Sequence, residues 1–277
     1  MSQQALIDSL VEGLAREPAV LLTVDATQGS VPREAGAWMG VFADGASVGT
    51  IGGGHLEFEA TLMARRALAG EPLEAQRRFA LGPSLGQCCG GVVHLRFELL
   101  QPAASVSVRA RLEARADAQR LPVALFGGGH VGHAIVRALM PLPVRLHWID
   151  SRDEVFPAGL PRWIEAEHSA PVQAAVADLA AQSRVLIMSF SHAEDLDVVA
   201  ACLQRQRDRQ DLPFIGLIGS KSKWASFRHR LEARGFSAAE LAQVTSPIGV
   251  AGVLGKEPEV IAAAVAAQLM QQREAVD

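Results

Sequence analysis

Residues 123–132 read Val-Ala-Leu-Phe-Gly-Gly-Gly-His-Val-Gly. The apolar run predicts a buried strand, and Gly127, Gly129 and Gly132 have the Gly-x-Gly-x-x-Gly spacing that joins a strand to a helix in dinucleotide-binding folds. Asp150 ends the next predicted strand, 18 positions after Gly132, where a ribose-binding acid is expected. The pattern favours a phosphate at the helix N-terminus, but glycines that merely allow tight strand–helix packing would give the same spacing.

Strands and helices alternate on both sides of this stretch, which predicts a Rossmann-like parallel-sheet domain over residues 122–277. The expected strands are 123–126, 144–149, 163–166, 185–190 and 213–218, and the expected helices are 133–140, 171–181, 195–206, 222–234 and 260–270. The last of these helices is rich in alanine, which makes it a candidate for a subunit contact in a homodimer.

Polar residues follow four of these strands, and ligands of open α/β sheets bind beyond the carboxyl ends of the strands. Lys221 and Lys223 stand where the helix predicted over 222–234 begins, a position that suits an anion. Each residue taken alone could equally be a helix cap or part of a solvated turn. The candidates for ligand binding at this edge are His130, Asp150, Arg152, His192 and Lys221.

Residues 1–102 predict a different domain, a mixed α/β domain in which short links between strands favour a mixed or antiparallel sheet. Its predicted strands are 19–24, 38–42, 48–51 and 92–99, and its predicted helices are 1–18 and 55–68. Residues 103–121 are charged and rich in alanine and arginine, without a clear apolar face. We interpret them as a linker, with a helix as the alternative.

Three motifs of this first domain are candidates for binding. Residues 52–57, Gly-Gly-Gly-His-Leu-Glu, form a second strand–glycine–helix turn, in which Gly52, Gly53, Gly54, His55 and Glu57 are the candidate residues. Arg33 lies in a glycine- and proline-containing loop and suits phosphate or oxo groups, although a solvated arginine is the simpler interpretation.

The third motif is Gly86-Gln87-Cys88-Cys89-Gly90-Gly91. Flanking glycines leave the thiols uncrowded, and neighbouring amides favour the thiolate that binds a soft metal. A buried cysteine in a plain turn is the alternative. Adjacent cysteines do not match the Cys-x-x-Cys spacing of zinc sites, so a structural zinc is not expected.

The composition restricts the classes of function. A formal charge of −4 and a pI near 6.1 argue against a nucleic-acid partner, and neither a signal peptide nor a membrane span is evident. Three cysteines without a disulfide framework indicate a reducing, cytoplasmic location. The chain contains no Tyr and therefore no Tyr-x-x-x-Lys pair, and it has no Walker lysine motif. Ligand-binding motifs are thus better represented than catalytic ones, which favours a non-catalytic accessory factor over an enzyme.

Together these motifs resemble the XdhC/CoxI family over nearly the whole chain. The resemblance rests on residues 30–37, 49–57, 86–91, 125–132, 150–152, 216–221, 246–249 and 256–262. It implies a maturation factor that binds molybdenum cofactor (molybdopterin) and holds it while a cysteine desulfurase exchanges an oxo for a sulfido ligand. The resemblance also implies that the factor then delivers the cofactor to the molybdenum subunit of apo-xanthine dehydrogenase.

Cys89 corresponds to the cysteine of the broader family, which makes it the expected molybdenum ligand, and Cys88 is shared mainly within the xanthine dehydrogenase branch. The alternative function is an NAD(P)-dependent oxidoreductase that uses the loop from Gly127 to Gly132. NAD(P) or another nucleotide is therefore a second candidate ligand, for the Rossmann-like domain.

Overall fold

The computed structural model describes residues 2–81 and 90–273, and the chain forms two compact units. Unit 1 is Met1–Arg115 and unit 2 is Ala116–Asp277. Cys88 and Cys89 lie outside the described residues.

Unit 1 contains an antiparallel sheet of five strands in the order β3-β2-β1-β5-β4. The central strand is rich in β-branched and aliphatic residues, and alternate side chains point to opposite faces. The strands are β1 Ala19–Gln28, β2 Trp38–Phe42, β3 Ser47–Gly49, β4 Gln76–Ala80 and β5 Val92–Leu100.

Helices cover both faces of this sheet. Helix α1 (Gln3–Leu14) packs on β2, where Leu10 fills the space that a side chain on Gly40 would need. Helix α2 (Gly54–Leu68) covers the opposite face with Leu56 and a row of alanines. Helix α3 (Ser105–Ala118) pairs with α1 through an ion pair of 2.5 Å between Arg109 and Asp8. The segment predicted as a linker is therefore helical over most of its length.

Unit 2 has a wholly parallel sheet of six strands in the order β11-β10-β9-β6-β7-β8. Counted from β6, this is the 3-2-1-4-5-6 order of the doubly wound fold, so the predicted α/β class with a Rossmann-like second domain is confirmed. The strands are β6 Leu121–Phe126, β7 Val144–Asp150, β8 Ile164–His168, β9 Arg184–Ile187, β10 Phe214–Leu217 and β11 Val244–Thr245.

Two apolar clusters lie on the two faces of this sheet. The helices of unit 2 are α4 His130–Leu139, α5 His192–Arg209, α6 Lys221–Ala233, α7 Ala238–Leu241 and α8 Pro258–Gln271. The predicted helix over 171–181 is wrong in type, because Val172–Asp178 forms a 3-10 helix. Buried Arg205 donates to the carbonyl oxygens of Val176 and Leu179 at 2.7 and 2.8 Å, and these bonds hold the segment against α5.

Among the helices in residues 2–81 and 90–273, we find none with the length and apolar character that a bilayer crossing requires.

Candidate functional site

The glycine turn of unit 1 connects β3 to α2 and packs closely against a neighbouring loop. Gly52 and Gly53 have φ values of 126° and 77°, a region that favours glycine. A side chain on Gly52 would overlap the ring of Pro32, whereas Gly53 faces open space. Gly52 is thus required by packing, and Gly53 is the position that a ligand could approach.

Glu57, in the first turn of α2, holds this turn together. Its Oε1 accepts hydrogen bonds from the Thr50 hydroxyl, from the Ile51 amide at 2.9 Å and from the Gly52 amide at 3.2 Å. Burial raises the pKa of Glu57, but these hydrogen bonds outweigh burial, and the net effect lowers the pKa. Glu57, predicted as a cofactor-binding residue, therefore has one oxygen committed to the backbone of its own turn.

Three motifs of unit 1 meet at this edge of the sheet. A side chain on Gly91 would overlap the carbonyl oxygens of Gln28 and Ser30, and the Leu81 amide donates to the Gly91 carbonyl at 2.8 Å. The end of the Cys-Cys-Gly-Gly motif thus lies beside the loop that carries Pro32. The described ends of the three motifs therefore lie close together, and Cys88 and Cys89 are outside the described residues.

Arg33 and His55 are both exposed at this edge. His55 contacts Glu59 of the same helix at 3.1 Å. Arg33 makes no hydrogen bond or ion pair with the residues that the structure describes, so none of those residues competes with an anion for its guanidinium.

The cleft of unit 2 lies between the carboxyl ends of β6, β9 and β10 and encloses about 420 Å³. It opens where the sheet order reverses from β7 on one side of β6 to β9 on the other, the point at which doubly wound folds bind ligands. Its lining comprises Gly129, His130, Val131, Gly132, Met188, Ser189, Phe190, Ser191, His192, Asp195, Ile218 and Lys223.

The three fingerprint glycines have different roles. A side chain on Gly127 would overlap the Met188 carbonyl oxygen, and one on Gly132 would overlap the Gly127 carbonyl oxygen. Gly129, with φ of −79°, faces open space in the cleft. Close packing explains Gly127 and Gly132, and only Gly129 has the open approach that phosphate binding needs.

Asp150 is saturated by protein donors. It is 1% exposed, and it accepts from the Gly128 amide at 2.5 Å and from the amide, Nε and Nη2 of Arg152 at 2.9, 2.9 and 3.0 Å. Burial raises the pKa of Asp150, but the hydrogen bonds from Arg152 and Gly128 outweigh burial and lower it. The carboxylate is committed to these bonds and is not presented to a ribose hydroxyl.

Two carboxylates of α5 fix the loop after β9. Asp195 Oδ1 accepts from the Ser189 amide at 2.7 Å, and Glu194 Oε2 accepts from the Phe190 amide at 3.1 Å. Asp195, 2% exposed, also forms an ion pair of 2.6 Å with Lys223 Nζ, which donates to the Ile218 carbonyl at 2.9 Å. Both residues line the cleft, and each compensates the charge of the other.

Of the ligand-binding residues predicted in unit 2, two histidines line the cleft and Lys221 does not. His130 and His192 are exposed and line the cleft, at the starts of α4 and α5. Lys221 is exposed and lies outside the lining, whereas Lys223, two positions later on the same helix, lines it. The sequence predicted that both lysines lie at the start of this helix. Which of the two faces the cleft depends on how α6 is rotated against the sheet.

Ser189 and Phe190 line the cleft, although the sequence did not select them. The polar strand end at residues 189–192 was the available signal. Cys202 is buried, and burial raises the pKa of its thiol to about 12, which leaves it protonated and inert. In the described part of the chain, no three His, Cys, Asp or Glu side chains come together as metal ligands.

Two family models match this chain. The model described as the XdhC Rossmann domain matches residues 123–269, and the model of the XdhC and CoxI family matches residues 14–79. The two matches fall in different units, and the first covers the cleft.

A protein and a solved structure are similar along almost the whole chain. The uncharacterized protein YqeB of Escherichia coli (strain K12) is 25% identical over 258 residues, which are 92% of this chain and 43% of YqeB. The chain thus spans less than half the length of that relative. The crystal structure of a xanthine dehydrogenase (BH1974) from Bacillus halodurans superposes with a TM-score of 0.73 at 18% identity, over 98% of this chain and 95% of that one.

At that identity the superposition shows a shared fold. The domain model, in contrast, covers more than half of the sequence and includes the glycine loop, Asp150 and the cleft. On this evidence the chain belongs to the XdhC family.

Proposed function

We propose that this protein is an accessory factor that binds molybdenum cofactor and hands it to the molybdenum subunit of an apo-xanthine dehydrogenase. The observation that carries the proposal is the match to XdhC family models in both units. A cysteine desulfurase as the source of the sulfido ligand, a homodimeric state and a cytoplasmic location belong to the same proposal. In this role the protein binds and releases a ligand without turning over an organic substrate.

The described residues fit the phosphate end of this cofactor. Gly129 leaves open space beside the first turn of α4, and His130 and His192 stand at the mouth of the same cleft. In unit 1, Arg33 is a second exposed cation beside a glycine turn. Cys88 and Cys89 remain the predicted thiolate ligands from the sequence. When bound, the cofactor would supply the molybdenum centre that the recipient enzyme needs.

A nicotinamide-dependent oxidoreductase is the second candidate, favoured by the glycine loop and the cleft at the switch point. Asp150 argues against it. The acid that should accept a ribose diol already accepts four protein hydrogen bonds and is 1% exposed. Ribose recognition would require Arg152 to leave, so we rank this candidate second.

Retention of the cofactor is the direct test. The tagged protein would be purified anaerobically from cells that synthesise molybdenum cofactor, and bound molybdenum would be measured by mass spectrometry and bound pterin by fluorescence after oxidation. We expect molybdenum and pterin in equal amounts, and transfer of both to a purified apo-xanthine dehydrogenase with recovery of its activity. A bound nicotinamide in their place would favour the oxidoreductase.

A deletion strain provides the complementary test. Without this protein, the partner xanthine dehydrogenase should assemble its other cofactors yet stay inactive for lack of sulfurated molybdenum cofactor. Normal hydroxylase activity with full molybdenum occupancy would contradict an essential delivery role.

A further inference from the structure

We propose that the unit 2 cleft binds a planar heterocycle that carries a single phosphate, with the phosphate at the first turn of α4 and the ring against Phe190. The cleft geometry alone supports this class of ligand. Its identification as the pterin of molybdenum cofactor rests on the proposed function. The proposal assigns the pterin to unit 2, whereas the predicted thiolate ligands belong to unit 1.

The choice of α4 for the phosphate follows from how the helices around the cleft are capped. The Ser191 hydroxyl accepts from the Glu194 amide and caps α5, and the Ser220 hydroxyl accepts from the Lys223 amide and caps α6. Helix α4 has Gly129 at its N-cap without a side-chain hydrogen bond, and its first turn has no acidic residue. Of these three helices, α4 is therefore the one whose N-terminal amides are open to an anion.

A buried hydroxyl gives an independent indication of a ligand. Ser189 lines the cleft, and its Oγ is buried without a hydrogen-bond partner among the described residues. A buried polar atom without a partner costs free energy unless a ligand or water satisfies it. Lys223 uses two of its three N–H groups on Asp195 and Ile218, which leaves one for the same ligand.

Phe190 provides a surface for a planar ring at the rim of the cleft. The residue is 65% exposed, which is unusual for a phenylalanine, and the Arg152 guanidinium stacks 4.4 Å from the centroid of its ring. The bidentate bond from Arg152 to Asp150 fixes that guanidinium. The ring is thus held in place from one side while most of it remains accessible to a heterocycle.

The same contacts select against dinucleotides. The adenosine ribose of a dinucleotide would be recognised by the acid that ends β7, and Arg152 and the Gly128 amide already occupy that acid. A ligand with one phosphate and one ring needs only the α4 end of the cleft and Phe190.

The test uses neopterin 3′-monophosphate, a fluorescent pterin with one phosphate, titrated into the full-length protein with anisotropy as the readout. We expect saturable binding that weakens at least tenfold when unphosphorylated neopterin replaces the probe. Phe190→Leu should weaken binding by about tenfold, because stacking is lost while apolar volume is kept. Gly129→Val should abolish binding, since its side chain would stand over the α4 amides. His130→Ala is a second variant at the same end, with an expected loss of at least threefold.

The matched control is Phe58→Leu, because Phe58 is 63% exposed but lies on α2 of unit 1. It should leave affinity unchanged, and circular dichroism should show all variants folded. The proposal is overturned if the wild-type protein does not bind the probe, if neither Phe190→Leu nor the α4 variants weaken binding, or if NADH displaces the probe at equal concentration. Probe binding as expected in a protein that retains no molybdenum would support the site while contradicting the proposed function. Retained molybdenum with no probe binding would support the proposed function while contradicting the site.

Discussion

At the scale of single residues, the three fingerprint glycines should respond differently to the same change. Gly127→Ala and Gly132→Ala would force a methyl group into the Met188 and Gly127 carbonyl oxygens, and Gly127 also has φ of 131°. We expect each to lower the free energy of unfolding by more than about 2 kcal/mol. Urea denaturation of the purified variants measures this.

Gly129→Ala is the matched control, because its methyl group meets open space at an ordinary φ. It should cost less than about 1 kcal/mol. A loss at Gly129 equal to that at Gly127 would mean that all three glycines serve packing and that none is kept open for a ligand.

The cysteines give a second prediction at this scale. Cys202→Ala should leave cofactor retention unchanged, because the thiol is buried in the α5 core and its pKa is raised to about 12. Cys89→Ala should reduce retention, and Cys88→Ala should fall between the two. Molybdenum bound per folded protein decides the ranking, and equal retention by the Cys89 and Cys202 variants would contradict a ligand role for Cys89.

How far the sequence predicted the site is seen best at Asp150. Its position at the end of β7 followed from the strand pattern and the spacing from Gly132, and the structure places it there. Its hydrogen-bond partners could not be predicted from the sequence, because no local pattern indicates that the Arg152 side chain turns back to bond to it. The same limit applies to Lys221 and Lys223, whose orientation depends on the packing of α6.

At the scale of elements, Glu57 determines the shape of the turn between β3 and α2. Glu57→Ala would leave the Ile51 amide without its acceptor and the Gly52 amide with the Thr50 hydroxyl oxygen alone, at a cost of about 1–3 kcal/mol. Hydrogen exchange at these two amides should accelerate more than exchange in β1.

Glu59→Ala is the control, two residues later on the same helix. Among the residues described, Glu59 pairs with the exposed His55 alone. It should change stability by less than about 0.5 kcal/mol. Equal exchange rates in the two variants would show that Glu57 does not hold the turn.

The sequence predicted most elements of both units, and its misses have local causes. Strand β4 was not predicted, because only Phe79 of Gln76–Ala80 is buried and an edge strand needs no alternating pattern. The two-residue β11 is too short for any periodicity. The helix expected over 171–181 became a 3-10 helix, since carbonyls of that segment bond to Arg205, which is distant in sequence.

At the scale of the whole molecule, carboxylates with lowered pKa values occur in both units, and this predicts loss of stability in acid. Asp8 and Glu57 belong to unit 1, and Asp117, Asp150 and Asp211 belong to unit 2. A pKa that is lower in the folded state than in the unfolded state stabilises the fold above the unfolded value. That contribution is lost as the pH falls through the folded pKa.

The unfolded values are 3.8 for Asp and 4.5 for Glu, so the decline should begin near pH 4.5 and steepen below 3.8. Urea denaturation between pH 7 and pH 3 should therefore give a constant free energy of unfolding down to about pH 5, followed by a decrease. Stability that does not change down to pH 3 would show that these carboxylates titrate alike in both states.

The bond between Arg152 and Asp150 also has an evolutionary consequence. The glycine loop, the strand order and the acid that are typical of a dinucleotide-binding fold are all present, and one side chain two residues beyond the acid keeps that acid occupied. A single substitution such as Arg152→Ser would remove two of the four donors to the Asp150 carboxylate and, at the same step, the cation that stacks on Phe190. The class of ligand that such a cleft accepts can therefore change without rebuilding the sheet, because the side chain that occupies the acid is partly exposed and belongs to neither apolar cluster of this unit.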